Sequence, residues 1–416
     1  GYDDLTVFFY SGEEALSYDF SLFDTADGIE YVERDMTLSV ATVLETEGTV
    51  ATDAREKLGF TSFYNTYAEK TEVPIALADT GMNVFSDESE NLSAEAETND
   101  TNGHGTRMGQ IIKSLVPDET KIYDLKIAGA DGTTTSLLAY LAIEEALQKE
   151  CKVLYMGVDG NGTSELLKEA VSDAEDGNMV IVAPAGNSGD TTDTHLVSSI
   201  GSVVVVSAVD ENEEIESYSV TGTDVDMTSY GRADGFTNED GEEIAVTGTS
   251  VAAAYVTAAA TCISAVSEYD GLLLRGVLYT AARDMGEDGW DASYGYGITD
   301  LSLLENAIKE MQDGDTTWVE SNLVIATVSN YTKLREYCSL AEDAIINITA
   351  DLTLVAPVTA IENGATAVCY GNKTINGNNH TIKNTAAMHA CIALGDGANV
   401  KLNNLKINGA GMQVQS

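Results

Sequence analysis

Four short segments of this 416-residue chain set residues that could do chemistry beside glycines. Asp79 closes the apolar run VPIALAD and is followed by Thr80 and Gly81, His104 sits between glycines in NGHGT, Asn187 lies in APAGNSG, and Ser250 follows Gly-Thr in VTGTSVAAA. A serine hydroxyl becomes a useful nucleophile when a neighbouring base takes its proton, and histidine is the commonest such base. The chain has four histidines, at 104, 195, 380 and 389. A carboxylate can hold the imidazole in one tautomer, and a side-chain amide can donate a hydrogen bond to a developing oxyanion. Taken singly, each residue also has an ordinary explanation: Asp79 as a turn or cap residue, Ser250 as a helix N-cap, Asn187 as a turn residue, His104 as a structural histidine.

The elements around them decide how they could meet. VPIALAD, KIYDLKIA, KVLYMGVD, MVIVAP and SVVVVSAVD are short apolar runs, separated by helical patterns over about 105–115, 137–148 and 165–175. Strands alternating with helices predict βαβ units, hence an α/β fold with a doubly wound, mainly parallel sheet and helices on both faces. Asp79 and Asn187 then fall at the carboxyl ends of strands, the edge where open α/β sheets form their sites. Ser250 opens an uncharged, small-residue stretch, Ile244 to Ser267, whose composition predicts a buried core helix rather than a membrane span.

Polar segments near 44–56 and 311–318 divide the chain into a small sheet-containing unit over 1–48, a central domain over 49–312 and a last unit over 313–416. The last unit holds 13 asparagines and recurrent short strands such as KTINGNNHTIKN and ANVKLNNLKING. These look like rungs of the start of a right-handed parallel β-helix, one that reads as cut short at GAGMQVQS, with an ordinary β-sandwich as the alternative.

The formal charge of −47 lies almost wholly upstream, since residues 313–416 carry 9 acidic and 6 basic side chains. Such acidity disfavours nucleic acid and anionic membranes as partners. The five cysteines, at 151, 262, 338, 369 and 391, lack CxxC spacing and read as small buried hydrophobes, with 338, 369 and 391 near enough in sequence for a pair to bridge. Gly1 opens into Tyr-Asp-Asp, without the basic and apolar stretch of a signal peptide.

In this order, ADTG, GHGT, AGNSG and GTSVAAA resemble the subtilase family of serine peptidases over about residues 55–310. The resemblance implies Ser250 as nucleophile, His104 as general acid and base, Asp79 as its orienting carboxylate and Asn187 as oxyanion donor. It also implies a peptide-binding strand at Gly157, Val158, Asp159 and Gly160, with Ala185 and Gly186 lining the substrate cleft opposite. An acid at 159 beside the primary specificity pocket implies a preference for Lys or Arg. Val251, Ala254 and Tyr255 after the serine, and Arg107, Gly109 and Gln110 after the histidine, depart from the family pattern without removing a catalytic group.

GIEYVERDMTLSV is similar to the end of the family's inhibitory prodomain, which implies that residues 1 to about 48 act as an intramolecular inhibitor of the site. Further expectations are a protein or peptide substrate, no cofactor for the chemistry, structural calcium at acidic loops such as Asp284–Asp291, an extracellular polymer as ligand of the last unit, and a secreted or cell-surface bacterial location. The competing functions are a non-catalytic subtilase scaffold in an adhesion protein and a protease that matures only its own chain.

Overall fold

The computed structural model describes residues 33–40, 43–47, 54–83, 86–93, 98–191, 195–200, 202–237, 242–267, 269–313, 317–320, 323–354, 367–384, 391–395 and 397–408. LTVFFYSG and most of the first unit therefore lie outside the described residues, as does His389.

Among the described residues, fifteen short strands precede residue 300. They are β1 (Thr37–Val40), β2 (Leu44–Glu47), β3 (Pro74–Asp79), β4 (Glu88–Asn91), β5 (Lys121–Lys126), β6 (Thr133–Thr135), β7 (Val153–Met156), β8 (Val158–Asp159), β9 (Val180–Pro184), β10 (Val203–Val209), β11 (Met227–Tyr230), β12 (Arg232–Thr237), β13 (Glu243–Thr247), β14 (Ala282–Arg283) and β15 (Ile298–Thr299). Nine of them form one sheet in the order β14-β15-β11-β10-β9-β7-β3-β5-β4. Every pairing in it is parallel except that of β14 with β15 at the edge. The central strands are buried on both faces, which is why they read as continuous Val, Ile, Leu and Ala runs rather than alternating patterns.

The helices α1 (His104–Leu115), α2 (Ser136–Gln148), α3 (Glu165–Asp176) and α4 (Thr249–Val266) match the expected spans closely. Their apolar faces fill two separate cores, one on each side of the sheet: α1 and α4 pack in the first, α2 and α3 in the second. The α4 helix is long and apolar enough to cross a membrane by length and composition, yet it is 94% buried inside the protein. Its alanines let the sheet and α1 approach, and Thr257 and Thr261 satisfy their hydroxyls on the carbonyls of Ala253 and Thr257.

Of the expected first unit, residues 33–40 and 43–47 are described. Within 33–47, β1 and β2 do not pair with each other. Instead β1 lies antiparallel between β6 and β8, with Ser39 opposite Asp159 and Val40 opposite Val158, and β2 adds antiparallel to β13, with Leu44 opposite Thr247. The backbone of this stretch takes its hydrogen bonds from the central domain.

Beyond residue 316, ten strands follow among the described residues: β16 (Thr317–Glu320), β17 (Leu323–Val328), β18 (Ala344–Ile348), β19 (Leu352–Leu354), β20 (Ala367–Cys369), β21 (Asn372–Asn376), β22 (Thr381–Asn384), β23 (Ile392–Leu394), β24 (Asn399–Asn403) and β25 (Lys406–Asn408). They stack as three ladders, β16-β17-β18-β21-β24, β19-β22-β25 and β20-β23, parallel throughout except for β16 with β17. Ala326, Ile346, Ile375 and Leu402 fall in register, and beside them the amides of Asn347, Asn376 and Asn403 hydrogen-bond in a row at 3.0 and 2.9 Å. Repeated in-register parallel pairing is not the hairpin pattern of an antiparallel sandwich. All five cysteines are buried and unbridged, Cys338, Cys369 and Cys391 within this unit's core.

Candidate active site

Asp79 is the last residue of β3, the strand whose two neighbours, β5 and β7, follow it in sequence on opposite sides. The sheet therefore changes winding direction at its carboxyl end, the place where a crevice opens in such folds. Asp79 is 1% exposed, and both its carboxylate oxygens lie 2.8 Å from His104 Nδ1, while Oδ1 also accepts from the Thr80 N–H at 2.7 Å. Gly105 N donates to Thr80 Oγ1 at 2.9 Å, tying the start of α1 to the end of β3.

Two glycines make this contact sterically available. A Cβ on Gly157 would stand 2.0 Å from Asp79 Oδ2, and one on Gly105 would stand 2.3 Å from the Gly81 carbonyl oxygen and 3.0 Å from Asp79 Oδ1. The carboxylate occupies the space that any larger residue at 157 would need.

Ser250 is the second residue of α4, and its Oγ is fully buried without a hydrogen-bond partner. The Nε2 of His104 is likewise buried and without a partner. No hydrogen bond joins the two, which is common when no substrate tightens the geometry. Tyr155, from β7, lies between Ser250 and Asp79: its hydroxyl is 3.5 Å from the Ser250 carbonyl oxygen, and its ring packs against Gly157 beside Asp79. Burial, aided by the Asp79 charge, pushes the Tyr155 phenol well above its ordinary range, so it stays a neutral support.

Asn187 follows the carboxyl end of β9. Its Oδ1 accepts from both the backbone N–H and the hydroxyl of Thr249, each at 2.9 Å, which orients the amide beside the residue preceding Ser250. Thr249 Oγ1 also accepts from Gly186 N at 3.2 Å. Thr249 and Tyr155 are positioning residues that no spacing in the sequence marked.

Asp159 is turned onto the chain's own 195–198 loop. Its carboxylate accepts from the backbone N–H groups of Gly160, Leu196 and Val197 at 2.7, 3.1 and 2.9 Å, from the Ser198 hydroxyl, and from His195 Nδ1 at 3.1 Å. Five donors use its acceptor capacity, and through them Asp159 anchors the 195–198 loop. That hydrogen bond holds the His195 imidazole above its usual range, against the opposing effect of burial, and the ring lies against Gly186. Only the count of four histidines pointed at His195.

Of the expected substrate strand, Val158 and Asp159 pair with the chain's own Val40 and Ser39, Gly160 abuts Leu38, and Gly157 supports Asp79. Ala185 and Gly186 line the end of β9 in the buried core and beside His195 respectively. A cavity of about 380 Å³ lies between β1 and β2, lined by Ser39, Val40, Leu44, Asn187, Ser188, Tyr218 and Thr247. In the acidic loop, Asp284 and Asp291 accept from the backbone N–H groups of Gly289, Glu287, Ser293 and Tyr294. No cluster of three or more His, Cys, Asp or Glu suited to a metal occurs among the described residues.

This sheet, with an Asp and His paired at a strand end and a serine opening the central helix, is that of a known class. The chain belongs to the subtilase family of serine proteases, whose family model matches residues 29–297. It is 29% identical over 224 residues to Subtilisin DY of Bacillus licheniformis, a match covering 50% of this chain and 80% of that protein. It is 26% identical over 243 residues to the Minor extracellular protease Epr of Bacillus subtilis strain 168, covering 54% of this chain and 37% of that one. With Subtilisin BL of Lederbergia lenta the identity is 25% over 240 residues, 54% of this chain and 88% of the relative.

Proposed function

We propose that the chain is a serine endopeptidase that cuts extended peptide, including its own N-terminal segment, at Ser250. The observation that carries this reading is the course of residues 37–47. They are paired with β6 and β8 up to Val40 and with β13 from Leu44 to Glu47, two anchored flanks on either side of the active-site end of the sheet. Strand addition of this kind is how a cleft holds an extended peptide in register. Leu38 is 1% exposed, an apolar anchor on the side that becomes the acyl group.

The chemistry assigns each group one task. His104 Nε2 takes the proton of Ser250 Oγ as that oxygen attacks the carbonyl carbon, and then delivers it to the leaving amine as the C–N bond breaks. Asp79 keeps Nδ1–H pointed at itself and stabilises the imidazolium. Asn187, its oxygen held by Thr249, is oriented for its amide nitrogen to donate to the oxyanion. Water then releases the acyl group by the reverse sequence.

The pairing of Val40 with Val158 on one flank, and of Leu44 with Thr247 on the other, supports Ala41–Thr42, between them in sequence, as the bond cut in cis. Intact-mass analysis tests it: the wild-type chain splits between Val40 and Val43, whereas Ser250→Ala stays whole. An unsplit wild type that also resists fluorophosphonate labelling would support a non-catalytic scaffold instead. Action outside a bacterial cell is supported by likeness to a protein named as extracellular. The three parallel ladders after residue 316 support reading that unit as the start of a parallel β-helix carried behind the catalytic domain.

A further inference from the structure

The charge carried by the peptide beyond the cut bond meets a specific partner. Arg107 stands three residues after His104 on α1, one turn along and on the same helix face. Its guanidinium makes an ion pair with Glu45 of β2, the two side chains being 24% and 44% exposed. On the neighbouring residue, Arg232 donates to Thr46 Oγ1 at 3.0 Å, but its guanidinium is already paired with Asp234 at 2.7 Å. Glu45 is thus the position on this flank where a substrate charge meets an arginine beside the catalytic histidine. The whole chain, at −47, repels acidic peptides, so Arg107 is a local exception to the field.

Resting on the reading of β1 and β2 as the two flanks of a bound peptide, we propose that Arg107 is a specificity-determining residue. It selects substrates that carry a carboxylate at the fourth residue after the scissile bond, the place Glu45 takes relative to Ala41–Thr42. An exposed pair of this kind acts mainly through encounter and salt-sensitive binding. Its effect therefore falls on kcat/KM, and chiefly on KM.

The test uses two fluorogenic peptides identical except for Glu or Lys at that position, with the processed protein and its Arg107→Gln and Arg107→Glu variants. In low salt the wild type should cleave the Glu peptide about three- to tenfold more efficiently. The ratio should shrink toward one in 1 M NaCl and in Arg107→Gln, and invert in Arg107→Glu. An unchanged ratio across the three proteins overturns the proposal. Fluorescence anisotropy of the same peptides on Ser250→Ala, freed of residues 1–47 through a protease site inserted after Glu47, separates the two readings. Preferential binding of the Glu peptide without cleavage by the wild type keeps Arg107 and removes the peptidase, whereas cleavage with no charge preference does the opposite. Neither binding nor cleavage overturns both.

Discussion

Asp79 is held as much by missing atoms as by hydrogen bonds. Because a Cβ at 157 would stand 2.0 Å from its Oδ2, Gly157→Ala forces the carboxylate to turn and loosens His104. Peptide hydrolysis should fall at least 100-fold, a misplacement of about 1 Å being enough, with far-ultraviolet circular dichroism unchanged. Replacing Asn187 by Leu removes the amide proposed as oxyanion donor while keeping volume. kcat should drop about 10²–10³-fold with little change in KM, the loss known for such an amide in subtilisin. Asp159→Asn weakens acceptance from three backbone N–H groups and from His195, so its consequence is a loosened 195–198 loop. A peptide-library profile in which this variant selectively lost Lys or Arg cleavage would contradict the anchoring role.

At the scale of elements, α4 shows why the residues around Ser250 are small. Ala258, Ala259 and Ala260 are fully buried against the sheet and neighbouring helices. Ala258→Leu inserts methylenes into a packed core and should destabilise the domain by about 1–3 kcal/mol, read as a lower denaturant midpoint. The ladder of Asn347, Asn376 and Asn403 belongs to the other unit, and breaking it at Asn376→Ala should cost about 1 kcal/mol. Hydrogen exchange of β18, β21 and β24 would rise, with protection of β3 and β9 unaffected. The strand and helix spans were legible because each element is long enough to show its period. The antiparallel placement of β1 and β2 was not, since a four-residue strand names no partner.

For the whole molecule, −47 is a self-repulsion that salt screens, so the melting temperature at neutral pH should rise between 0 and 0.5 M NaCl. A second dependence comes from Asp124 on β5, whose buried Oδ1 has no partner and whose carboxyl is pushed up to about 6 by burial. The folded value lies above the unfolded one, so the protonated form is favoured by folding. That contribution is complete below about pH 4 and is lost as pH rises through about 6. Comparing melting curves from pH 4 to 8, Asp124→Asn should show a shallower decline than wild type; equal slopes would exclude Asp124 as a source.

The α/β class, the helix spans and the choice of four candidate residues could be read from the chain alone, because apolar periodicity and glycine settings are local properties. What those residues touch emerges with folding. Asp159 is satisfied by a loop 36 to 39 residues away, Thr249 orients Asn187 from 62 residues away, and Arg107 meets Glu45 across 62. Such pairings depend on how strands and helices converge in space, and no spacing along the chain encodes them.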